Sequence, residues 1–121
     1  MTEPTHSIER SGTQRWRFPD GRHHREGGPA IIHQDGSTEW YQNGKIHRED
    51  GPAVEYVNGY KAWYLNGKIH NLNGPALIDM EGGVVWCIEG ADLDPENEAQ
   101  KEDPKFVRLA EIKAVYEMMK E

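Results

Sequence analysis

The sequence predicts a mainly β protein, a single-layer array of stacked antiparallel β-hairpin repeats followed by a C-terminal amphipathic helix. The first observation is a repeat, because the triplet Gly-Pro-Ala begins at positions 28, 51 and 74, at intervals of 23 residues. A fixed period of this length indicates small units that bury their apolar side chains only by stacking on their neighbours. The tryptophans that keep the same interval are Trp40, Trp63 and Trp86.

Glycine-containing dipeptides indicate that each unit consists of short strands joined by tight turns. Asn-Gly and Asp-Gly favour the positive backbone angles of a two-residue hairpin loop. The first turn of each unit is expected at Asp35-Gly36, Asn58-Gly59 and Glu81-Gly82, and the second turn at Asn43-Gly44 and Asn66-Gly67.

Two-residue loops at the first turns determine which residues oppose each other across the strands. Counting back from the loop Asp35-Gly36 places Ile31 opposite Trp40. The equivalent pairs are Val54 with Trp63 and Leu77 with Trp86. Such pairs stabilise a sheet by roughly 0.2–1 kcal/mol each. These six residues form the predicted core of the repeats, and Trp63, flanked by a repeat on either side, is expected to be the most buried of the three tryptophans.

The chain divides into three segments. Residues 1–12 have few apolar side chains and are expected to form a flexible N-terminal arm. Residues 13–91 hold the repeat array, which begins with a half repeat around Trp16 and continues through units 22–44, 45–67 and 68–90. Residues 92–121 are expected to form an acidic turn and C-terminal helices.

The C-terminal segment has the periodicity of an amphipathic helix. Asp94-Pro95 and Asp103-Pro104 are helix-start signals. We expect the helix 104–120 to dock on the last hairpin, which would otherwise be an open end of the sheet. The apolar residues that share one stripe at helical spacing are Phe106, Leu109, Ile112, Val115, Tyr116 and Met119.

Composition argues against a polyanionic partner. The 121 residues carry a formal net charge of −7, whereas binding to nucleic acid or anionic lipid draws on clustered Lys and Arg. The single cysteine, Cys87, excludes an internal disulfide. Because the sequence shows no leader-like or membrane-spanning apolar run, we expect a cytoplasmic protein, in the host cytoplasm if a phage encodes it.

The segments Trp-Tyr-x-Asn-Gly at 40–44 and Trp-Tyr-Leu-Asn-Gly at 63–67, with the 23-residue period, resemble MORN-type repeats in their bacterial and viral variant form. The resemblance covers residues 16–91 and implies a row of β-hairpins in one elongated sheet. It also implies a role in protein interaction or assembly; some members contact membrane lipid, and bacterial variants include presumed antitoxins. This chain departs from the family pattern by its Gly-Pro-Ala triplets, by a histidine four residues before each, and by lacking a basic surface, so lipid binding is not expected.

Side chains with reactive groups have structural explanations. The repeated histidines His24, His47 and His70 lie in successive units, roughly 10 Å apart if each unit adds two strands. They are therefore too far apart to share one metal ion, and we expect each ring to bond to backbone. Cys87 replaces a repeat tyrosine and is expected to be a small buried filler. No catalytic residue, metal site or cofactor is predicted.

The predicted partner-binding residues are tyrosines of the sheet and acidic residues that follow it. Aromatic side chains on an exposed sheet face are typical interface anchors, although packing within the sheet would also explain them. The stretch 89–103 holds seven acidic residues and one lysine, so it carries −6 of the net charge and can steer association with a basic surface. The residues are Tyr41, Tyr56, Tyr64, Asp92, Asp94, Glu96 and Glu98.

Together these features predict a non-catalytic protein-binding module that blocks or scaffolds another protein. We expect an inhibitor of antitoxin or phage anti-defence type, whose target handles nucleic acids and has a basic surface, with no direct binding to nucleic acid or membrane. Two alternatives are a self-assembling structural protein and a hydrolase that uses Cys87 and a histidine. Open sheet ends and an apolar helix favour a homodimer in any of these cases.

Overall fold

The computed structural model describes residues 3–92 and 103–119, and it shows a mainly β chain with a helix at its C-terminal end. No helix within these residues is long and apolar enough to cross a membrane. The elements are β1 (Thr5–Ile8), β2 (Gln14–Arg17), β3 (Ile31–Ile32), β4 (Thr38–Glu39), β5 (Tyr41–Gln42), β6 (Lys45–Ile46), β7 (Val54–Glu55), β8 (Lys61–Ala62), β9 (Tyr64–Leu65), β10 (Lys68–Ile69), β11 (Leu77–Ile78), β12 (Val84–Val85), β13 (Cys87–Ile88), β14 (Ala91–Asp92) and α1 (Pro104–Met119).

Each unit contributes two hairpins that lie side by side. The first hairpins join an eight-stranded antiparallel sheet with the order β1-β2-β3-β4-β7-β8-β11-β12. The second hairpins, β5-β6, β9-β10 and β13-β14, form a row beside that sheet. Backbone bonds connect the row, since Gly67 N–H donates to the Ile46 carbonyl at 2.8 Å and Gly90 N–H donates to the Ile69 carbonyl at 2.8 Å. The fold class predicted from the sequence is therefore confirmed.

The second turn of each unit is a two-residue loop, as predicted. Tyr41 opposes Ile46 across the loop Asn43-Gly44, and both loop residues have positive φ, 53° and 83°. These angles match the type I′ turn, whose twist suits a two-residue hairpin. The equivalent dipeptides are Asn66-Gly67 and Glu89-Gly90, which also have positive φ.

The first turn of each unit has three loop residues, so the two-residue prediction is wrong there. His33 N–H donates to the Ser37 carbonyl at 2.8 Å, and Gly36 N–H donates to the His33 carbonyl at 2.9 Å. The Asp35 carboxylate accepts a bond from Ser37 N–H at 2.8 Å, and Gly36 has a φ of 95°. A tight turn followed by a left-handed glycine is the common three-residue hairpin, and Asp-Gly suits it as well as the two-residue form.

This extra loop residue shifts the strand register by one position. Ile31 faces Glu39 rather than Trp40. In the same way Val54 faces Ala62 and Leu77 faces Val85, so all three predicted pairs with tryptophan are wrong. Because neighbouring side chains point to opposite faces, the tryptophans lie on the face away from these aliphatic residues. That second face includes three alanines that are fully buried: Ala30, Ala53 and Ala76.

The half repeat at the N-terminal end is confirmed. The Trp16 carbonyl accepts a bond from His24 N–H at 3.0 Å, as the Trp40 carbonyl does from His47 N–H at 3.0 Å. The turn after Trp16 is closed by a bond from Phe18 N–H to the Arg22 carbonyl at 2.9 Å. It is one residue longer than the later turns, which explains why Trp16 precedes Trp40 by 24 residues.

The predicted flexible arm is wrong for residues 5–8, which form strand β1. This strand pairs with β2 and places His6 opposite Trp16. The two rings stack with centroids 4.3 Å apart. Aromatic stacking and the backbone ladder offset the conformational entropy that the low apolar content of 1–12 seemed unable to offset.

Helix α1 docks on the last repeat, as predicted. Phe106 and Leu109 pack against Trp86 and Ile88, and Trp86 is only 7% exposed. The prediction that Trp63 is the most buried repeat tryptophan is therefore wrong, because the helix covers Trp86 while Trp63 is half-buried.

The docked stripe of α1 is narrower than its sequence periodicity predicts. Ile112 and Tyr116 pack at the edge of the contact. Val115 and Met119 are 54% and 78% exposed, so they lie outside it. The predicted helix start at Asp94-Pro95 falls outside the described residues.

Candidate partner-binding face

One face of the array carries four tyrosines, and we call this set the tyrosine face: Tyr41, Tyr56, Tyr60 and Tyr64. The register explains their common side. Glu39 and Ala62 both pair with Val54, and Tyr41, Tyr56 and Tyr64 lie two positions beyond these three residues. Side chains two positions apart in a strand share a face. Two successive units are thereby brought together at one surface.

Tyr56 and Tyr60 form the outer part of this face. Their rings stack with centroids 5.5 Å apart and an interplanar angle of 27°. They close the first turn of the second unit, where Tyr56 N–H donates to the Tyr60 carbonyl at 2.9 Å. Sequence reasoning missed Tyr60, because only the three-residue loop makes it a direct neighbour of Tyr56.

Glu39 organises the inner part of the tyrosine face. The Tyr41 hydroxyl donates to Glu39 Oε1 at 3.0 Å. The other carboxylate oxygen lies 2.6 Å from His33 Nε2, and the His33 ring meets the edge of Tyr56 at a centroid distance of 6.3 Å. Sequence reasoning also missed Glu39 and His33, although the position of Glu39 two residues before Tyr41 is a signal that they share a face.

The environment of the tyrosines keeps their hydroxyls protonated. Burial, followed by the Glu39 carboxylate, raises the pKa of Tyr41 to about 12. The same two causes raise the pKa of Tyr56, and burial, followed by Tyr60, raises the pKa of Tyr64. At neutral pH these groups are therefore neutral hydroxyls, suited to hydrogen bonding and apolar contact.

A cationic edge borders the face beside Tyr41. The His23 ring lies 5.3 Å from the Tyr41 ring, and Arg15 Nη1 lies 3.2 Å from His23 Nε2. Burial, followed by the charges of Arg15 and Arg17, lowers the pKa of His23. His23 is therefore neutral at pH 7, and Arg15, which also bonds to Glu9 at 3.2 Å, carries the charge at this edge.

The repeated histidines bond to backbone, as predicted. His47 Nδ1 accepts a bond at 2.9 Å from the N–H of Asn66, in the second turn of the next unit. The equivalent bonds join His24 to Asn43 at 3.0 Å and His70 to Glu89 at 2.9 Å. Each ring therefore fixes the turn of the following unit.

Cys87 and one serine occupy structural positions. Cys87 is buried, at 1% exposure, as expected for a filler. Ser37 lines a surface depression with His33 and Asp35, residue types that suit nucleophilic catalysis. The Ser37 hydroxyl, however, accepts a bond from Val57 N–H at 3.0 Å, while Asp35 bonds to Ser37 N–H and His33 to Glu39. These bonds hold the first turn and connect it to the next unit.

The acidic residues predicted to assist binding lie at the boundary of the described structure. The backbone of Asp92 pairs with Cys87 at the end of the last hairpin. Asp94, Glu96 and Glu98 fall outside the described residues, so their approach to Tyr41 and Tyr64 stays a prediction.

Comparisons with models of protein families, with curated proteins and with solved structures find no match. The function of this chain is therefore inferred from the geometry of the tyrosine face and from the repeat pattern. Both point toward recognition of another macromolecule rather than toward a chemical step.

Proposed function

We propose that this chain is a non-catalytic protein-binding module that uses the tyrosine face to block or scaffold another protein. The observation that carries the proposal is the grouping of Tyr41, Tyr56, Tyr60 and Tyr64 on one face, with Tyr41 and Tyr56 positioned around Glu39 and His33. Tyrosine is enriched at the centres of protein interfaces because it combines a large apolar ring with a polar tip.

The tyrosine face favours binding to a partner over a purely internal role. Tyr56 is 37% exposed and its neighbour Val57 is 65% exposed, so apolar surface remains in contact with water. Stacking and hydrogen bonds already hold Tyr41, Tyr56 and Tyr60 in defined positions. Ordered side chains lose little conformational entropy on binding, which favours affinity.

The charge of the chain supports a basic target. The net charge is −7, and −6 of it lies within residues 89–103. An acidic surface raises the rate of association with a basic one and repels nucleic acid. With the resemblance to MORN-type repeats, this supports an inhibitor of antitoxin or phage anti-defence type, directed at a basic protein that handles nucleic acids.

The tyrosine face is tested by affinity capture from the native cells, comparing the original chain with a Tyr56→Ala/Tyr64→Ala variant. We expect the variant to lose at least about tenfold in affinity for the captured protein, as for truncated interface anchors. The matched control is Glu55→Ala/Lys61→Ala, a pair that faces itself across β7 and β8 on the opposite face. Equal binding by the tyrosine variant, with unchanged circular dichroism, would contradict the proposal.

The basic character of the target is tested separately. Replacing Asp92, Asp94, Glu96 and Glu98 by lysine should slow association with the captured protein and weaken its salt dependence. The control is the same measurement on the Tyr56→Ala/Tyr64→Ala variant, in which the salt dependence should persist. Unchanged association rates in the lysine variant would show that the acidic stretch is only a connection.

A second candidate function is self-assembly. Strands β1 and β12 form the two ends of the eight-stranded sheet, and near β12 the side chains of Val84 and Met80 are 45% and 64% exposed. Open sheet edges with apolar neighbours favour pairing with another chain.

A further inference from the structure

Arginine side chains cover the tryptophans of the first units. The Arg25 guanidinium carbon lies 3.8 Å from the centroid of the Trp16 ring, and the Arg48 guanidinium carbon lies 4.0 Å from that of Trp40. Each arginine also donates from Nη1 to a proline carbonyl four residues later, at 3.2 Å and 3.1 Å. These distances are well within the range of cation–π attraction.

Glycines make room for these arginines. A Cβ atom on Gly28 would lie 3.0 Å from the Arg25 guanidinium carbon, and one on Gly51 would lie 2.9 Å from that of Arg48. The guanidinium groups are thus held between an indole ring and glycine backbone. The Gly-Pro-Ala triplet therefore supplies two parts of one arginine site, the open glycine and the proline carbonyl.

The third unit lacks this arginine. Asn71 occupies the equivalent position, and its amide donates to the Pro75 carbonyl at 2.8 Å, but its side chain is too short to cover an indole. Trp86 is instead covered by Tyr116, with ring centroids 5.8 Å apart. Within residues 3–92 and 103–119, Trp63 is therefore the one tryptophan with neither a cation nor an aromatic ring against its indole.

The surroundings of Trp63 suit a cation from outside. Trp63 lines a surface depression of about 430 Å³ together with Glu49, Gly74 and Tyr116, a volume in the range of ligand pockets. The Glu49 side chain is 85% exposed. The one arginine nearby, Arg48, is bonded to Asp50 at 2.9 Å and stacked on Trp40, so the Glu49 carboxylate adds negative charge to the rim.

We propose that the Trp63 indole binds an arginine side chain of a partner protein, in the position that Arg25 and Arg48 occupy in the preceding units. The guanidinium stacks on the indole, and Glu49 attracts its charge. Arginine fits better than lysine because its planar group stacks on aromatic rings. This site lies on the face opposite Tyr64, so it is independent of the tyrosine face.

The probe is a short capped peptide with one arginine, titrated into the full chain and followed by the indole N–H resonances of the four tryptophans. We expect the Trp63 resonance to shift and those of Trp16, Trp40 and Trp86 to stay in place. The matched peptide carries citrulline, which has the same shape without the charge, and it should bind roughly 5- to 30-fold more weakly. Equal shifts with both peptides, or shifts spread over all four indoles, would overturn the proposal.

Asn71→Arg provides the decisive variant. The new side chain should occupy Trp63 as Arg48 occupies Trp40, retaining the bond to the Pro75 carbonyl, so the arginine peptide should no longer shift the Trp63 resonance. Asn71→Gln keeps a neutral amide and should bind the peptide within about twofold of the original chain. Because Asn71→Arg adds a contact rather than removing one, we expect its melting temperature not to fall.

Two results would assign Trp63 a different occupant. If Asn71→Arg still binds the peptide, the guanidinium does not lie on this indole. If Lys101→Ala alone moves the Trp63 resonance and the peptide does not, the chain covers the site with its own lysine. Either result overturns the proposal, and neither bears on capture through the tyrosine face.

Discussion

Side chains that hold backbone in defined positions account for much of this protein at the scale of single residues. His24, His47 and His70 accept bonds from the turn of the next unit. Asp35 and Asn58 accept bonds within their own turns. A buried N–H without a partner costs roughly 1–3 kcal/mol, so these acceptors matter to the stability of small hairpins.

The histidine bond to the next turn can be measured directly. His47→Ala should reduce the free energy of unfolding by about 1 kcal/mol, the usual net contribution of one hydrogen bond. It should also speed hydrogen exchange at the amide of Asn66, which loses its acceptor. The amide of Asn43, held by His24, serves as the internal control. Similar acceleration at both amides would indicate global destabilisation instead.

Tyr41 gives the residue scale a dependence on pH. Its pKa is raised from 10.0 to about 12, so the folded chain holds this proton more tightly than the unfolded chain. The resulting contribution to stability is present in full below pH 10 and is lost as the pH rises through about 12. Tyrosinate absorbance should show a titration near pH 12 that Tyr41→Phe removes. A titration of all five tyrosines that is complete near pH 10 would contradict the bond to Glu39.

At the scale of elements, local sequence determines the turns only where the turn type is unambiguous. Asn43-Gly44 adopts the two-residue loop that its sequence predicts. Asp35-Gly36 is compatible with loops of two or three residues, and the choice depends on Asp35 bonding to Ser37 N–H. That difference of one residue moved every aliphatic–tryptophan pair and concealed the neighbours of Tyr41 and Tyr56. The positions of the strands could thus be predicted, whereas their pairing could not.

The helix illustrates the second limit of prediction. Periodicity identifies α1 and its docking, but Phe106 and Leu109 are buried while Val115 and Met119 are exposed. The shape of the last repeat, rather than the helical stripe, decides which residues make contact. Trp86 is more buried than Trp63 for the same reason, since the covering element is distant in sequence.

The docking of α1 leads to a matched pair of variants. Leu109 is 0% exposed, so Leu109→Ala should reduce the free energy of unfolding by about 2–5 kcal/mol. Val107 lies on the same helix but is 51% exposed, and Val107→Ala should change it by less than about 0.5 kcal/mol. Denaturant titration of both variants is the measurement. Equal effects would show that the helix does not pack through Leu109.

At the scale of the whole molecule, the array is a row of units with open ends. Its N-terminal end is completed by β1 and the half repeat around Trp16, and α1 covers part of its C-terminal end. Strand β12 nevertheless remains the last strand of the main sheet, with Val84 45% exposed. Unpaired strand edges promote association between chains.

We therefore expect a homodimer that forms through β12. Light scattering should give twice the chain mass of 13.8 kDa, and Val84→Lys should return the monomer mass because a charge at an edge opposes pairing. Val115→Lys, at an exposed valine of the helix, is the control and should leave the dimer intact. A monomer mass for the original chain at tens of micromolar would rule out this dimer.

The bonds between units repeat with the same donors and acceptors. Arg48 N–H reaches the Tyr64 carbonyl, and Asn71 N–H reaches the Cys87 carbonyl at the equivalent place. A gene that duplicated one internal unit would encode a chain in which the new copy meets matching partners on both sides, while the two ends stay as they are. The length of the molecule, and with it the width of the surface offered to a partner, can thus change during evolution in whole steps without a new folding problem at each one.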